Sequence, residues 1–329
     1  MSNRPVYKLH NFFDINDIND YNKWCYISSN PKAVGLLRDN LNMINWIALS
    51  ANESYEAIEL LMEYPNKIDW FYLSGNPYAY EILKNNLNLL NYDKLSNNPA
   101  AIPLLKINKH LINWDILSSN PAAFDLLCEN KDKINWQYLC LNENKKIIEL
   151  LKANIDKIDW IYLSGNSNAI DLLLENKNKI NWDYLSINSN DKAIELLTNN
   201  QNKINWIKLH YNINPKAIKL LEKNPNMINW TILSYNKNAI ELLKSNQNNI
   251  NWFSIGLNPK VIEIIESNNK KYLISNIIYK NPNIFVYDYK QMEINFMNMN
   301  EEIMMEVLKP ERVFRNLKLF NYNFNDMYE

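Results

Sequence analysis

By type, the residues of this 329-residue chain that can do chemistry are three histidines, three cysteines and a row of carboxylates. His10, His110 and His210 fall at unrelated positions of the pattern described below, so nothing in their spacing brings them to one site. Cys25, Cys128 and Cys140 make an odd number without disulfide or metal spacing, which points to a reducing compartment. Glu59, Glu81, Asp125, Glu149, Asp171, Glu195, Glu241 and Glu263 share one position of a predicted helix. A linear row of carboxylates supplies a solvated face, whereas acid–base work needs groups converging in a pocket. Lys84, Lys152 and Lys244 stand three residues after Glu81, Glu149 and Glu241, the spacing of helix-surface ion pairs. The four glycines (Gly35, Gly75, Gly165 and Gly256) stand apart, so no phosphate cradle is expected. The expectation is a chain without catalytic, cofactor-binding or metal-binding residues.

The elements that position these groups are set by a periodic aromatic. Trp24, Trp46, Trp70, Tyr92, Trp114, Trp136, Trp160, Trp182, Trp206, Trp230 and Trp252 follow one another at steps of 22 or 24 residues. Such a period marks a solenoid, in which each repeat touches its neighbours. Aromatic platforms also bind single-stranded nucleic acid, but beside a basic groove. A net charge of −1 provides no such groove, so neither nucleic acid nor an anionic membrane surface is expected as partner. The series is read as repeat core.

One repeat illustrates the local logic, with the aromatic as position 0. Asn or Asp precedes the aromatic in every repeat but the first, where Lys23 stands, and this is a helix N-cap. Position +3 is Leu or Ile, on the same helix face as the aromatic. Position +6 is Asn in all eleven repeats, from Asn30 to Asn258. Asn tolerates the left-handed conformation that stops a helix, and it caps the next one. Pro follows it in five repeats, a favoured first helical residue. A small residue, an Ile-like residue and a Leu pair then describe the apolar face of a second helix. In the four 24-residue repeats a capping residue still stands four before the Ile: Ser54, Asn144, Asn190 and Asn214. The two tasks of the Asn are thereby divided between two residues.

The fold expected is all-α, a solenoid of about eleven short αα-hairpin repeats. Helices this short are unstable alone, so stacking must hold them. A leucine-rich-repeat-like α/β solenoid is the alternative, since it shares the period and a structural Asn. Residues 1–22 are expected to form an N-terminal cap, 23–269 the repeats, and 270–329 a degraded repeat with a helical C-terminal cap. Neighbouring helices pack at roughly 8–10 Å, so eleven repeats would span on the order of 100 Å, straight or curved. The start lacks a signal-peptide pattern and no stretch is apolar enough to span a membrane, which suggests a cytoplasmic protein.

The string Ile-Asn-Trp-x-x-Leu-Ser-x-Asn-Pro-x-Ala-Ile-x-Leu-Leu-x-x-Asn, over about residues 22–270, resembles the Asn-rich short repeats of proteins from giant DNA viruses of amoebae and other protists. The segment from Glu301 to Arg312 is similar to the ending of many such proteins, with Lys309 where His is usual. The resemblance implies no catalytic residues. It implies a viral protein that works by binding, in host cytoplasm, viral factory or virion.

Positions that vary between repeats are where a solenoid gains specificity. Position +2 carries Tyr26, Tyr72, Tyr138, Tyr162 and Tyr184, and tyrosine is enriched at interfaces. These five are the candidate contacts for a protein partner. The second reading is a self-assembling structural component, associating through its caps, with the Met-rich stretch from Met292 to Met305 as the adaptable surface.

Overall fold

The computed structural model describes residues 5–18, 20–268, 275–307, 309 and 312. Two compact units are present: Asn11–Ile284, and Met1–His10 together with Phe285–Glu329. The expected boundaries at residues 22 and 269 do not coincide with this division, because residues 275–284 still belong to the repeat pattern.

The larger unit is an all-α repeat solenoid. In the repeat of Trp114, a helix Trp114–Ser119 is followed by a 3₁₀ turn Pro121–Ala123, a helix Phe124–Glu129 and a second 3₁₀ turn Lys131–Lys133. The first helix starts where predicted. Asn113 is extended, and its side chain accepts the Ile116 N–H. The same cap recurs at Asn45, Asp69, Asn91, Asn181 and Asn251. The first repeat differs: its helix Tyr21–Ser28 is capped by Asp20, one turn before Trp24.

The divided capping of the longer repeats is also present. Ser54, Asn190 and Asn214 cap the helices Tyr55–Glu63, Asp191–Thr198 and Pro215–Glu222, each α-helical from its first residue. Asn144 accepts the Lys146 N–H in the fourth. The two added residues supply a separate cap, so the helix no longer needs the tighter 3₁₀ entry used in the 22-residue repeats.

The fully buried positions of the core are ones other than the aromatic. Leu73, Leu95, Leu117, Leu139 and their equivalents at +3 are fully buried, as are the small residues Ala79, Ala101 and Ala123 and the second Leu of each pair. Among the aromatics expected as repeat core, Trp24 is buried, and its Nε1 donates to the Ile18 carbonyl at 3.0 Å. Trp46, Trp70, Tyr92, Trp114, Trp136, Trp160, Trp182, Trp206, Trp230 and Trp252 are half-buried. An indole is too large for the space between closely stacked repeats, so one part packs inward and the rest reaches the rim. Lys133, Lys157 and Lys203 lie over the rings of Trp114, Trp136 and Trp182 at 4.9, 4.7 and 4.4 Å from the centroids, within cation–π range.

The Asn at +6 does not stop the helix by a left-handed turn. Asn76, Asn98, Asn120 and Asn166 have φ between −83 and −75° and ψ between 113 and 118°, an extended conformation. Each is buried and works between repeats. Asn98 Nδ2 donates to the carbonyls of Ser74 and Asn76 at 3.0 Å, while its Oδ1 accepts the Ala100 N–H. A buried amide satisfied on both sides is a strong specifier of register, since displacement would strand it in an apolar layer.

The ladder closes on itself. Asn281 continues it to the carbonyls of Gly256 and Asn258 at 3.1 and 2.8 Å. Asn30, in the first repeat, donates to the carbonyls of Tyr279 and Asn281 at 3.0 and 3.1 Å. Residues 275–284 are therefore a twelfth repeat, shortened but retaining buried Ile278 at +3 and Asn281 at +6. The larger unit is a ring rather than an open stack with an exposed apolar surface at each end. A solenoid whose ends satisfy each other needs no capping repeat.

In the smaller unit β1 (Tyr7–Leu9) pairs antiparallel with β2 (Phe285–Tyr287), with Lys8 opposite Val286. Tyr7 stacks on Tyr287 at 5.2 Å, and Lys8 pairs with Asp288 at 3.5 Å. A 19-residue helix, Tyr289–Val307, follows. The helix expected to begin near Glu301 thus begins twelve residues earlier. Ile303 and Met304, expected on a packed cap face, are exposed; Leu308 and Val313 lie outside the described residues.

Candidate interaction surface

Two buried hydrogen-bond systems hold the surface in place. The first is the Asn ladder. The second is a hydroxyl relay at +4: Ser118 Oγ donates to the Trp114 carbonyl at 2.7 Å and accepts the Asn135 N–H of the next repeat at 3.0 Å. Ser50, Ser74, Ser96, Ser164, Ser186 and Ser234 repeat it, each joining one helix end to the next helix start.

His210 occupies this serine position and makes both bonds with its ring. Nδ1 lies 2.5 Å from the Trp206 carbonyl, and Nε2 accepts the Asn229 N–H at 2.8 Å. The neighbours fix the tautomer: Nδ1 must carry the proton and Nε2 must be bare. Burial lowers its pKa below the ordinary imidazole value, only partly opposed by the carbonyls at Trp206 and Ile207. Cys140 is the other departure. Burial pushes its thiol up to about 11, so it stays protonated and unreactive. His110 is exposed in a turn. Among the described residues no three His, Cys, Asp or Glu side chains gather to hold a metal ion. The expected ion pairs form on the solvated face, Lys84–Glu81 at 2.5 Å, Lys152–Glu149 at 3.2 Å and Lys244–Glu241 at 3.1 Å.

Positions +2, +5 and +7 form one continuous face. A Cβ on Gly165, at +5, would touch Tyr184 and Ile187, at +2 and +5 of the next repeat, at 3.6 Å. The tyrosines expected as contacts do not form one uniform row. Tyr72 and Tyr138 are exposed, while Tyr26, Tyr162 and Tyr184 are half-buried. Tyr162 packs edge-on against Tyr184 at 5.5 Å, and Lys208 Nζ sits 3.9 Å from the Tyr184 ring centroid. Ala48, Lys94 and Ile116 interrupt the series elsewhere.

The larger apolar exposure lies at +5 and +7 of repeats nine to eleven. Tyr211, Ile213, Tyr235 and Leu257 are exposed there. The +5 residues of the first five repeats are Ser29, Ala51, Gly75, Asn97 and Ser119. The change from small to bulky along one column was readable in the sequence, but only by comparing repeats at a position outside the tyrosine series. A cavity of about 310 Å³ opens among these residues, walled by Tyr211, Ile213, Ile232, Tyr235 and Pro259. His210 and Asn236 underlie it and Lys237 stands at its edge. Such a volume is at the small end for ligand sites and suits one bulky group.

Among the described residues no helix is long and apolar enough to cross a membrane. No family model matches the chain, and neither a curated protein nor a solved structure matches it.

Proposed function

We propose that the chain is a non-catalytic protein-binding scaffold, whose larger, ring-shaped unit holds a protein partner along its +2, +5 and +7 face. The observation that supports this most is the grouping of exposed Tyr211, Ile213 and Tyr235 around one cavity. Contiguous exposed apolar side chains are how soluble proteins present interaction sites, whereas isolated ones need no explanation. The rigid ladder beneath preorganises the face, which reduces the ordering needed on binding. With the viral resemblance of the repeats, the partner is a host or viral protein met in the cytoplasm or viral factory, and nucleic acid is not a partner.

The test is capture from a protist host lysate by tagged full-length protein, beside a variant carrying Tyr72→Ala, Tyr138→Ala and Tyr235→Ala. One protein held near stoichiometrically by the native ring and lost by the variant supports the scaffold. Recovery of the bait alone, or retention by the variant, refutes it.

A second reading, a self-assembling structural component, has its own observation. The helix Tyr289–Val307 exposes Ile294, Phe296, Met297, Met304 and Met305. Sedimentation of the full chain against Met297→Gln/Met304→Gln/Met305→Gln decides it: association abolished by these changes favours assembly, and a native monomer at all concentrations removes it.

A further inference from the structure

We infer that the cavity of repeats nine to eleven is a peptide site for one bulky apolar side chain, Trp, Phe or Leu, flanked by carboxylates. This rests on the scaffold reading and specifies the chemistry of the segment that the face takes. The cavity walls are apolar: the rings of Tyr211 and Tyr235 and the side chains of Ile213, Ile232 and Pro259. At about 310 Å³ it accommodates a single large side chain, not an extended cofactor.

Lys237 is the charged residue lining the cavity, and Asp191, bound to Asn214 beside Ile213, is engaged by Lys216. At the face positions of repeats nine to twelve stand Lys208, Lys237, Lys260 and Lys280, with no Asp or Glu at +2, +5, +7 or the adjoining +8. Lys208 lies on the Tyr184 ring. Lys237, Lys260 and Lys280 are exposed, and among the described residues no carboxylate pairs with them. On the solvated helix face Lys84, Lys152, Lys192, Lys216 and Lys244 each have an acidic partner, while Lys106 there has none among the described residues. Acidic groups do occur at +7 of the face, as Glu53 and Glu143, but in repeats two and six. An apolar socket with the unpaired Lys237 at its edge and Lys260 next to its Pro259 wall complements an anchor side chain with acidic neighbours, the anchor supplying affinity and the lysines steering and selectivity.

A random-peptide phage library selected on the intact protein tests this, with enriched peptides then made synthetically and titrated. The expected result is enrichment of Trp, Phe or Leu with Asp or Glu beside it. Ile213→Asp should weaken these peptides by about ten-fold or more, since an anchor pocket holds much of the binding energy. Lys237→Glu should weaken them by up to about five-fold, the scale of an exposed charge pair. Selection on Lys237→Glu/Lys260→Glu should turn the preference toward Lys and Arg flanks. All three positions are exposed, and unchanged thermal unfolding will show that the ring is intact. Neutral or basic consensus peptides overturn the inference. So do peptides indifferent to Ile213→Asp but lost on Tyr72→Ala/Tyr138→Ala, although the scaffold would then stand. Absence of enrichment overturns it too, and the lysate capture judges the scaffold separately.

Discussion

Removing one ladder amide at the junction of first and last repeats tests whether the ring is closed in solution. Asn30 is fully buried and makes three hydrogen bonds: to the carbonyls of Tyr279 and Asn281, and from the Lys32 N–H to its Oδ1. Asn142, also fully buried, makes the same three with Ser118, Asn120 and Asn144. At about 1 kcal/mol net for each bond, Asn30→Ala and Asn142→Ala should each destabilise the protein by about 3 kcal/mol. Equality is the informative part. In an open stack Asn30 would face solvent at a terminal repeat, and its loss would be felt weakly. Urea unfolding followed by tryptophan fluorescence gives both values. Hydrogen exchange of residues 278–284 in the native protein reports the junction directly. If Asn30→Ala costs less than about 1 kcal/mol while Asn142→Ala costs several, the ring closure is wrong.

His210 gives a pH prediction. Its folded-state pKa is lowered, so protonation favours the unfolded chain. Its contribution is complete above about pH 6.5, the unfolded value, and is lost as pH falls below it toward the folded pKa. The loss has a limiting slope of about 1.4 kcal/mol per pH unit. His210→Ser, which restores the residue of the other repeats, should flatten the stability profile between pH 7 and 5; parallel profiles would refute the relay role. Ser118→Ala removes a buried hydroxyl that donates once and accepts once, and should lower stability by about 1–3 kcal/mol in the same urea assay. Cys140, with its thiol at about 11 and no exposed surface, should be alkylated by iodoacetamide only on unfolding, after Cys25 and Cys128. Labelling of Cys140 at the rate of the other two in native buffer would contradict that burial.

Much of the repeat was legible because its determinants are local. The cap before each aromatic, the Leu at +3, the Leu pair and the divided capping of Ser54, Asn190 and Asn214 depend on residues within one turn of each other. The ladder was not legible, because the same Asn fits a helix stop, a cap and an inter-repeat bridge. Only the partner carbonyls, 22 to 26 residues away, distinguish these. Closure was further out of reach: Asn30 and Asn281 are 251 residues apart, and curvature accumulates from small differences in spacing across every interface. The aromatics lie shallower than their size suggests, because the fully buried apolar positions belong mostly to Leu, Ile and Ala. On the interaction face, the tyrosine column was visible as a repeated letter. The neighbouring column of Tyr211 and Tyr235 was not, since it is informative only where it departs from Ser and Gly.

A ladder that returns to its own first rung also makes the number of repeats a quantised quantity. Twelve asparagine rungs share one full turn, so each interface rotates by roughly 30°. An open solenoid can gain or lose a unit by unequal duplication and merely change length. This ring cannot, because a ring of eleven or thirteen rungs would require every interface to alter its angle by about two or three degrees together. Change is therefore channelled away from copy number and into substitutions on a frame of constant circumference. The spacing between any two points of the binding face is inherited unchanged while their chemistry varies.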